Sequence, residues 1–112
     1  MPVDSQTFLP WDLTFRPTGD RVLDLLYRQA AAIVGGGLSR YGQFSDPDQL
    51  KRSLQKISDP GERLSIVSHF GQLHAIINLW ESAEFRAANH DVVFQKQCIM
   101  WARVGVQYLW SL

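Results

Sequence analysis

The sequence predicts an all-α domain of about four helices preceded by an extended N-terminal arm. Apolar residues recur at helical spacing in several segments, and two Asp-Pro pairs mark helix starts. The stretch from Leu64 to Trp80 also contains no Asp, Glu, Lys or Arg. We expect an arm over residues 1–18 and one helical domain over residues 19–112, because 112 residues suffice for a single compact core.

Charge and cysteine content narrow the class of protein. Eleven Lys and Arg residues balance eleven Asp and Glu residues and are scattered along the chain, so nucleic acid is not the expected ligand. The single cysteine, Cys98, cannot close an intramolecular disulfide, and residues 1–4 do not resemble a secretory signal. The uncharged stretch is too polar to cross a membrane. We therefore expect a cytoplasmic protein.

The arm carries aromatic side chains that need a place to pack. Three prolines disfavour a stable helix over residues 1–18, and apolar residues alternate with polar ones from Trp11 to Phe15. Phe8, Trp11 and Phe15 are expected to pack either along their own domain or against another subunit.

The first helix is expected to be capped by Thr18 or Asp20 and to run through Val34. It then meets Gly35–Gly37, and each glycine costs about 1 kcal/mol in a helix interior relative to alanine. The run predicts either a helix break or a very close helix crossing. A phosphate-binding loop would need the Gly-Lys-Ser/Thr ending, which is missing here.

Asp-Pro pairs begin the next two helices. Asp46 and Asp59 are each followed by proline at the first helical position, where the missing N–H costs nothing. The second pair starts a central helix that is expected to continue to about Ala88. The large side chains of this helix share one face, which is formed by Ile66, Phe70, Leu73, Ile77 and Trp80. The small side chains share the opposite face, where a neighbouring backbone should be able to approach closely: Ser68, Gly71, Ala75 and Ser82.

The last helix is expected from about Val92, with its N-cap at the Asn89-His90-Asp91 turn. Its apolar surface is wider than one stripe, because a single neighbour would not cover Trp101, Tyr108 and Trp110 together. We therefore predict a homodimer. Six aromatic residues are the candidate partner-binding set: Phe8, Trp11, Phe15, Trp101, Tyr108 and Trp110.

No catalytic or metal-binding pattern stands out. His69 and His74 lie about 140° apart around a helix and cannot share a metal, so we expect them to form hydrogen bonds at the edges of the apolar face. Cys98 is expected to be a buried structural thiol, because Lys96 alone gives little activation. A small enzyme using His74 and Glu81 remains an alternative, but the sequence predicts no enzyme and no cofactor.

Two resemblances bear on function. Leu26-Tyr27-Arg28 resembles the signature of the LYR-motif adaptors, which bind an acyl carrier protein and serve complex assembly. The size, the neutral helical composition and the stretch from His74 to Trp80 resemble small helical anti-activators of LuxR-type quorum-sensing regulators. The second resemblance implies a dimer that sequesters a transcription factor. Our leading hypothesis is a protein-binding negative regulator that binds neither nucleic acid nor membrane, with the adaptor as the alternative.

Overall fold

The computed structural model describes residues 15–38, 41, 47–85 and 90–112. These residues form four α-helices and contain no β-strand, which confirms the predicted all-α class. The helices are α1 (Arg21–Ala32), α2 (Pro47–Gln55), α3 (Pro60–Trp80) and α4 (Val92–Trp110). Most of the arm, including Phe8 and Trp11, lies outside the described residues.

Of the two residues predicted as possible caps of α1, Thr18 and Asp20, the structure uses Asp20. Its carboxylate accepts hydrogen bonds from the backbone N–H groups of Val22 and Leu23 at 2.9 and 3.0 Å. Thr18 instead donates from its backbone N–H and its hydroxyl to the Asp24 carboxylate, both at 2.8 Å. The two acidic side chains together fix the entry of the chain into α1.

The glycine run extends the first helix instead of breaking it. Ile33–Leu38 forms a π-helix directly after α1. Gly37 is buried, and a Cβ atom at this position would overlap the imidazole ring of His69 on α3. Of the two predicted outcomes, the structure therefore adopts the close crossing.

Proline marks the predicted starts of α2 and α3. Asp59 accepts a hydrogen bond from the backbone N–H of Glu62 at 2.9 Å, which makes it the N-cap of α3. Asp46, the predicted cap of α2, lies outside the described residues. On α2, Leu50 and Leu54 are buried in the core.

The central helix ends earlier than predicted. Helix α3 stops at Trp80, and a short 3₁₀ helix follows at Ala83–Phe85, so the predicted continuation to Ala88 is wrong. Trp80 and Phe85 are both buried, yet a continuous helix would place them about 140° apart. The turn at Glu81 and Ser82 brings Phe85 back to the core.

The two faces of α3 differ in burial. The predicted apolar face is buried and forms much of the core, through Ile66, Phe70, Leu73, Ile77 and Trp80. The small face is not covered as predicted, because Ser68, Gly71 and Ala75 are exposed in this chain and Ser82 is half-buried. A Cβ atom at Gly71 would meet nothing within 4 Å.

Helix α4 starts where predicted and packs against α2 and α3. Asp91 is its N-cap and accepts a hydrogen bond from the backbone N–H of Phe94 at 3.2 Å. Helices α3 and α4 run antiparallel, since Trp80 lies 6.2 Å from Phe94 and Phe70 lies 6.3 Å from Tyr108, measured between ring centroids. A Cβ atom at Gly105 would overlap the Phe70 ring, so the glycine permits this close crossing.

Candidate protein-binding surface

The structure divides the predicted aromatic set between core and surface. Trp101 and Tyr108 are fully buried, whereas the side chain of Trp110 is 86% exposed. Helical geometry explains the division, because Trp110 lies two residues beyond Tyr108 and therefore about 200° around α4. The expectation that all three face a partner is thus corrected: Trp101 and Tyr108 belong to the core and are withdrawn from the candidate surface.

Phe15 anchors the end of the arm. Its ring centroid lies 5.4 Å from that of Tyr27 and 5.4 Å from that of Phe94, and the side chain is half-buried against the core. This is the intramolecular alternative of the two that the sequence left open for Phe15. Residues 1–14 lie outside the described residues, so Phe8 and Trp11 stay predictions.

Trp110 is part of a contiguous exposed group that we call the α4 apolar end. Val106, Leu109 and Trp110 are neighbours on the helix surface at spacings of three and four residues, and Leu112 follows at the end of the chain. All four side chains are exposed. Of these residues, only Trp110 belongs to the candidate set predicted from the sequence, although the i, i+3, i+4 spacing of Val106, Leu109 and Trp110, away from the side of Trp101 and Tyr108, was a signal for the others.

A groove between α3 and α4 leads to this surface. It encloses about 220 Å³, and Val106 lies both in the groove and in the α4 apolar end. Aliphatic side chains form much of its lining, and Glu81 and Arg103 contribute one charge of each sign. The full lining is His74, Ile77, Asn78, Glu81, Ile99, Ala102, Arg103 and Val106.

The three histidines form hydrogen bonds with backbone carbonyl groups. Nε2 of His74 donates to the carbonyl oxygen of Ala102 at 3.2 Å, and Nδ1 of His69 donates to that of Ser65 at 2.6 Å. This confirms the expectation that both histidines bond at the edges of the apolar face. The groove does bring His74 and Glu81 together, as the enzyme alternative requires, but no Ser, Thr or Cys lines the described groove as a nucleophile.

A partly buried cluster of polar residues joins the arm to the start of α4. The Asp91 carboxylate accepts a hydrogen bond from the backbone N–H of Arg16 at 2.8 Å and lies 3.8 Å from Nε of the same residue. Gln95 donates from its amide nitrogen to the Tyr27 hydroxyl at 2.6 Å and also to Nδ1 of His90. Nε2 of His90 donates to the carbonyl oxygen of Phe85 at 2.6 Å. Burial raises the pKa of the Tyr27 phenol.

A polar cavity of about 490 Å³ lies beside this cluster, between the end of α3 and the start of α4. Its lining includes Trp80, Glu81 and Ser82. The buried indole N–H of Trp80 and the hydroxyl of Ser82 have no hydrogen-bond partner among the described residues. These groups could hold a water molecule, which explains them without a dedicated ligand.

The tripeptide that resembles the LYR signature is mostly buried. Leu26 and Tyr27 belong to the core, and only Arg28 is exposed. Tyr27 packs edge-on against Trp80 at a centroid distance of 5.1 Å. An adaptor surface at this place would therefore present the arginine alone.

Cys98 is a free thiol buried in the core, as predicted. Burial raises the pKa of this thiol to about 12, because the thiolate would lose its hydration. Nucleophilic chemistry at neutral pH needs the thiolate. The position therefore contributes packing to the fold.

Within the described ranges, no group of three or more His, Cys, Asp or Glu side chains could hold a metal ion. None of the helices described is long and apolar enough to cross a membrane. Comparisons with protein family models, curated proteins and solved structures give no match.

Proposed function

We propose that this chain is a protein-binding regulatory module that sequesters a transcription factor or another protein. The observation that carries the proposal is the 86% exposure of Trp110 within the α4 apolar end. A tryptophan buries about 200 Å² when a partner covers it, and tryptophan is enriched at the energetic centres of interfaces. The chain keeps this side chain in water, which favours a partner with an apolar pocket.

Charge and chemistry support binding over other functions. The formal charge of zero gives no electrostatic attraction for nucleic acid, so a regulator of this kind would act on another protein and not on DNA. We propose that it acts in the cytoplasm as a negative regulator, by covering the surface through which its target dimerises or binds DNA. The groove between α3 and α4 extends the contact and offers Glu81 and Arg103 for orientation of the partner.

The test compares Trp110→Ala with Val93→Ala, which removes a smaller exposed apolar side chain at the other end of α4. Proteins that copurify with the wild-type chain from its native cell are identified by mass spectrometry. Each is then purified and titrated by calorimetry. We expect Trp110→Ala to weaken the interaction at least tenfold and Val93→Ala to leave it within about threefold.

The proposed negative regulation is tested separately, by its effect on the DNA binding of a captured transcription factor. A captured transcription factor should lose its DNA complex in a gel-shift assay when wild-type protein is added, and Trp110→Ala should restore the complex. Equal affinity of wild type and Trp110→Ala for every captured protein would overturn the proposed surface. Binding without any loss of the DNA complex would overturn the negative regulation.

The small-enzyme alternative is supported by one observation, since His74 and Glu81 line the same groove. Substrate turnover that is lost in His74→Ala, in a protein with unchanged helicity, would favour it. The adaptor alternative would instead be favoured by copurification of an acyl carrier protein that depends on Arg28, the one exposed residue of its tripeptide.

A further inference from the structure

The outward face of α3 carries no charged residue from Leu64 to its end. Helix α3 has no charged residue from Leu64 to Trp80, yet several side chains in this span face away from the core. Leu64 is 71% exposed and Leu79 is 52% exposed. The exposed residues that share this face are Leu64, Ser68, Gly71, Gln72, Ala75 and Leu79, which we call the α3 outer face.

The α3 outer face is a single stripe. At 100° per residue its six members fall within an arc of about 100°, and at 1.5 Å per residue they extend for about 23 Å. A groove of about 490 Å³ runs along one edge between α1 and α3, and Gln29, Ala32 and Ile33 form its far side. An exposed helix face normally carries charged residues, so this stripe resembles an interface.

The residues of this stripe are arranged symmetrically about its centre. Leu64 and Leu79 are equally distant from the midpoint between Gly71 and Gln72, and so are Ser68 and Ala75. A twofold axis perpendicular to the helix at that midpoint would place Leu64 opposite Leu79 and Ser68 opposite Ala75. It would also bring Gln72, which lies almost on the axis at one margin of the stripe, beside Gln72 of the second copy. We infer that the α3 outer face binds the same face of a second copy of this chain, with the two α3 helices antiparallel.

Each pair in this register is complementary. Ser68 would lie opposite Ala75 of the second copy near the centre of the contact, where small side chains permit a helix separation of about 8 Å. Leu64 would cover Leu79 of the second copy at both ends of the stripe. Gln72 would meet Gln72 of the second copy beside the axis, and a side-chain amide both donates and accepts hydrogen bonds. An isologous interface requires such self-complementarity.

The size of the stripe sets the expected strength. A contact about 23 Å long and one helix wide lies at the low end of protein interfaces, so we expect a dissociation constant on the order of 10 μM. The α3 outer face is separate from Trp110, and this dimer does not depend on the proposed function. Absence of the dimer while partner binding is intact would mean that the dimer inference had failed. Absence of partner binding while the dimer is intact would mean that the proposed function had failed.

The first experiment measures the dimer dissociation constant by sedimentation equilibrium from 1 to 200 μM. Gln72→Glu and Gln72→Lys should each weaken the wild-type dimer at least tenfold, because like charges would meet beside the axis. An equimolar mixture of the two variants should recover wild-type association within about threefold, because each charge then meets its opposite. Gln55→Glu, an exposed change on α2, is the matched control and should have no effect.

The second experiment tests the register with a short bismaleimide cross-linker. Gln72→Cys should cross-link to itself, whereas Leu64→Cys alone and Leu79→Cys alone should not, because equal positions away from the axis lie about 23 Å apart. A mixture of Leu64→Cys and Leu79→Cys should give the mixed dimer. Cys98 is buried and should not react in the folded protein.

Three results would overturn the inference. These are a wild-type chain that stays monomeric at 200 μM, a dimer that Gln72→Glu does not weaken, and self-cross-linking of Leu64→Cys equal to that of Gln72→Cys. The last result would indicate parallel helices. Trp110→Ala should leave both experiments unchanged.

Discussion

Cys98 illustrates how burial of one residue affects stability. Burial raises the pKa of its thiol from 9.0 to about 12, so the folded protein holds this proton more tightly than the unfolded chain does. The resulting contribution to folding is fully present below pH 9. It is lost as the pH rises from about 9 towards 12, because the unfolded chain is then stabilised by ionisation of the thiol.

We therefore predict that Cys98→Ala will flatten the alkaline loss of stability. The free energy of unfolding of the wild type should fall with pH more steeply than that of Cys98→Ala, by up to about 1.4 kcal/mol per pH unit within this range. Urea denaturation at pH 7, 8, 9, 10 and 10.5 measures both slopes. The Tyr27 phenol, whose pKa is also raised, remains in both proteins. Equal slopes would mean that the thiol ionises as easily in the folded state.

At the scale of the helix, the N-cap residues define where the helices begin, but they differ in the other hydrogen bonds that they form. Asp59 is exposed and caps α3 alone through the Glu62 N–H. Asp91 is buried, and its carboxylate bonds both the Phe94 N–H within α4 and the Arg16 N–H of the arm. The second cap therefore joins two parts of the chain that are 75 residues apart.

We predict that Asp91→Ala will cost more than Asp59→Ala. Loss of an exposed cap costs about 1 kcal/mol, whereas Asp91→Ala also leaves the Arg16 N–H without its acceptor and should cost about 2 kcal/mol or more. Urea denaturation at pH 7 gives both values. Hydrogen exchange gives a second readout, because the Arg16 amide should exchange faster in Asp91→Ala and normally in Asp59→Ala. Equal costs and unchanged exchange would contradict the role of Asp91 in holding the arm.

For the whole molecule, the tryptophans separate folding from recognition. Trp80 and Trp101 lie in the core, to which all four helices contribute, whereas Trp110 projects from the end of α4. From the sequence, the aromatic residues of the last helix are expected to leave more apolar surface than one chain can cover. Phe94, Trp101 and Tyr108 are covered within one chain, and Trp110 is the aromatic residue of α4 that stays exposed.

We predict opposite effects of two tryptophan substitutions on stability. Trp101→Ala should cost about 3–5 kcal/mol, because it opens a large cavity in the core. Trp110→Ala should change the free energy of unfolding by no more than about 0.5 kcal/mol. Denaturation followed by circular dichroism checks both. A large loss of stability in Trp110→Ala would mean that this side chain packs within the fold and is not available to a partner.

Much of the fold could be predicted because its signals are local. Asp-Pro pairs specify helix starts through the φ angle of proline and the short reach of a carboxylate, and the buried face of α3 follows from 3.6 residues per turn. The end of α3 could not be predicted in this way. Residues after Trp80 are compatible with a helix, and only the requirement to bury Phe85 together with Trp80 turns the chain.

Identification of the candidate protein-binding surface depended still more on tertiary structure. The sequence by itself determined that α4 carries more apolar residues than one stripe can hold, since spacing alone assigns Trp110 to a different side from Trp101 and Tyr108. Only the packing of α4 against α2 and α3 decided which side is buried. The physical reason is that helix periodicity fixes the relative directions of side chains, whereas contact between helices fixes which direction faces the core.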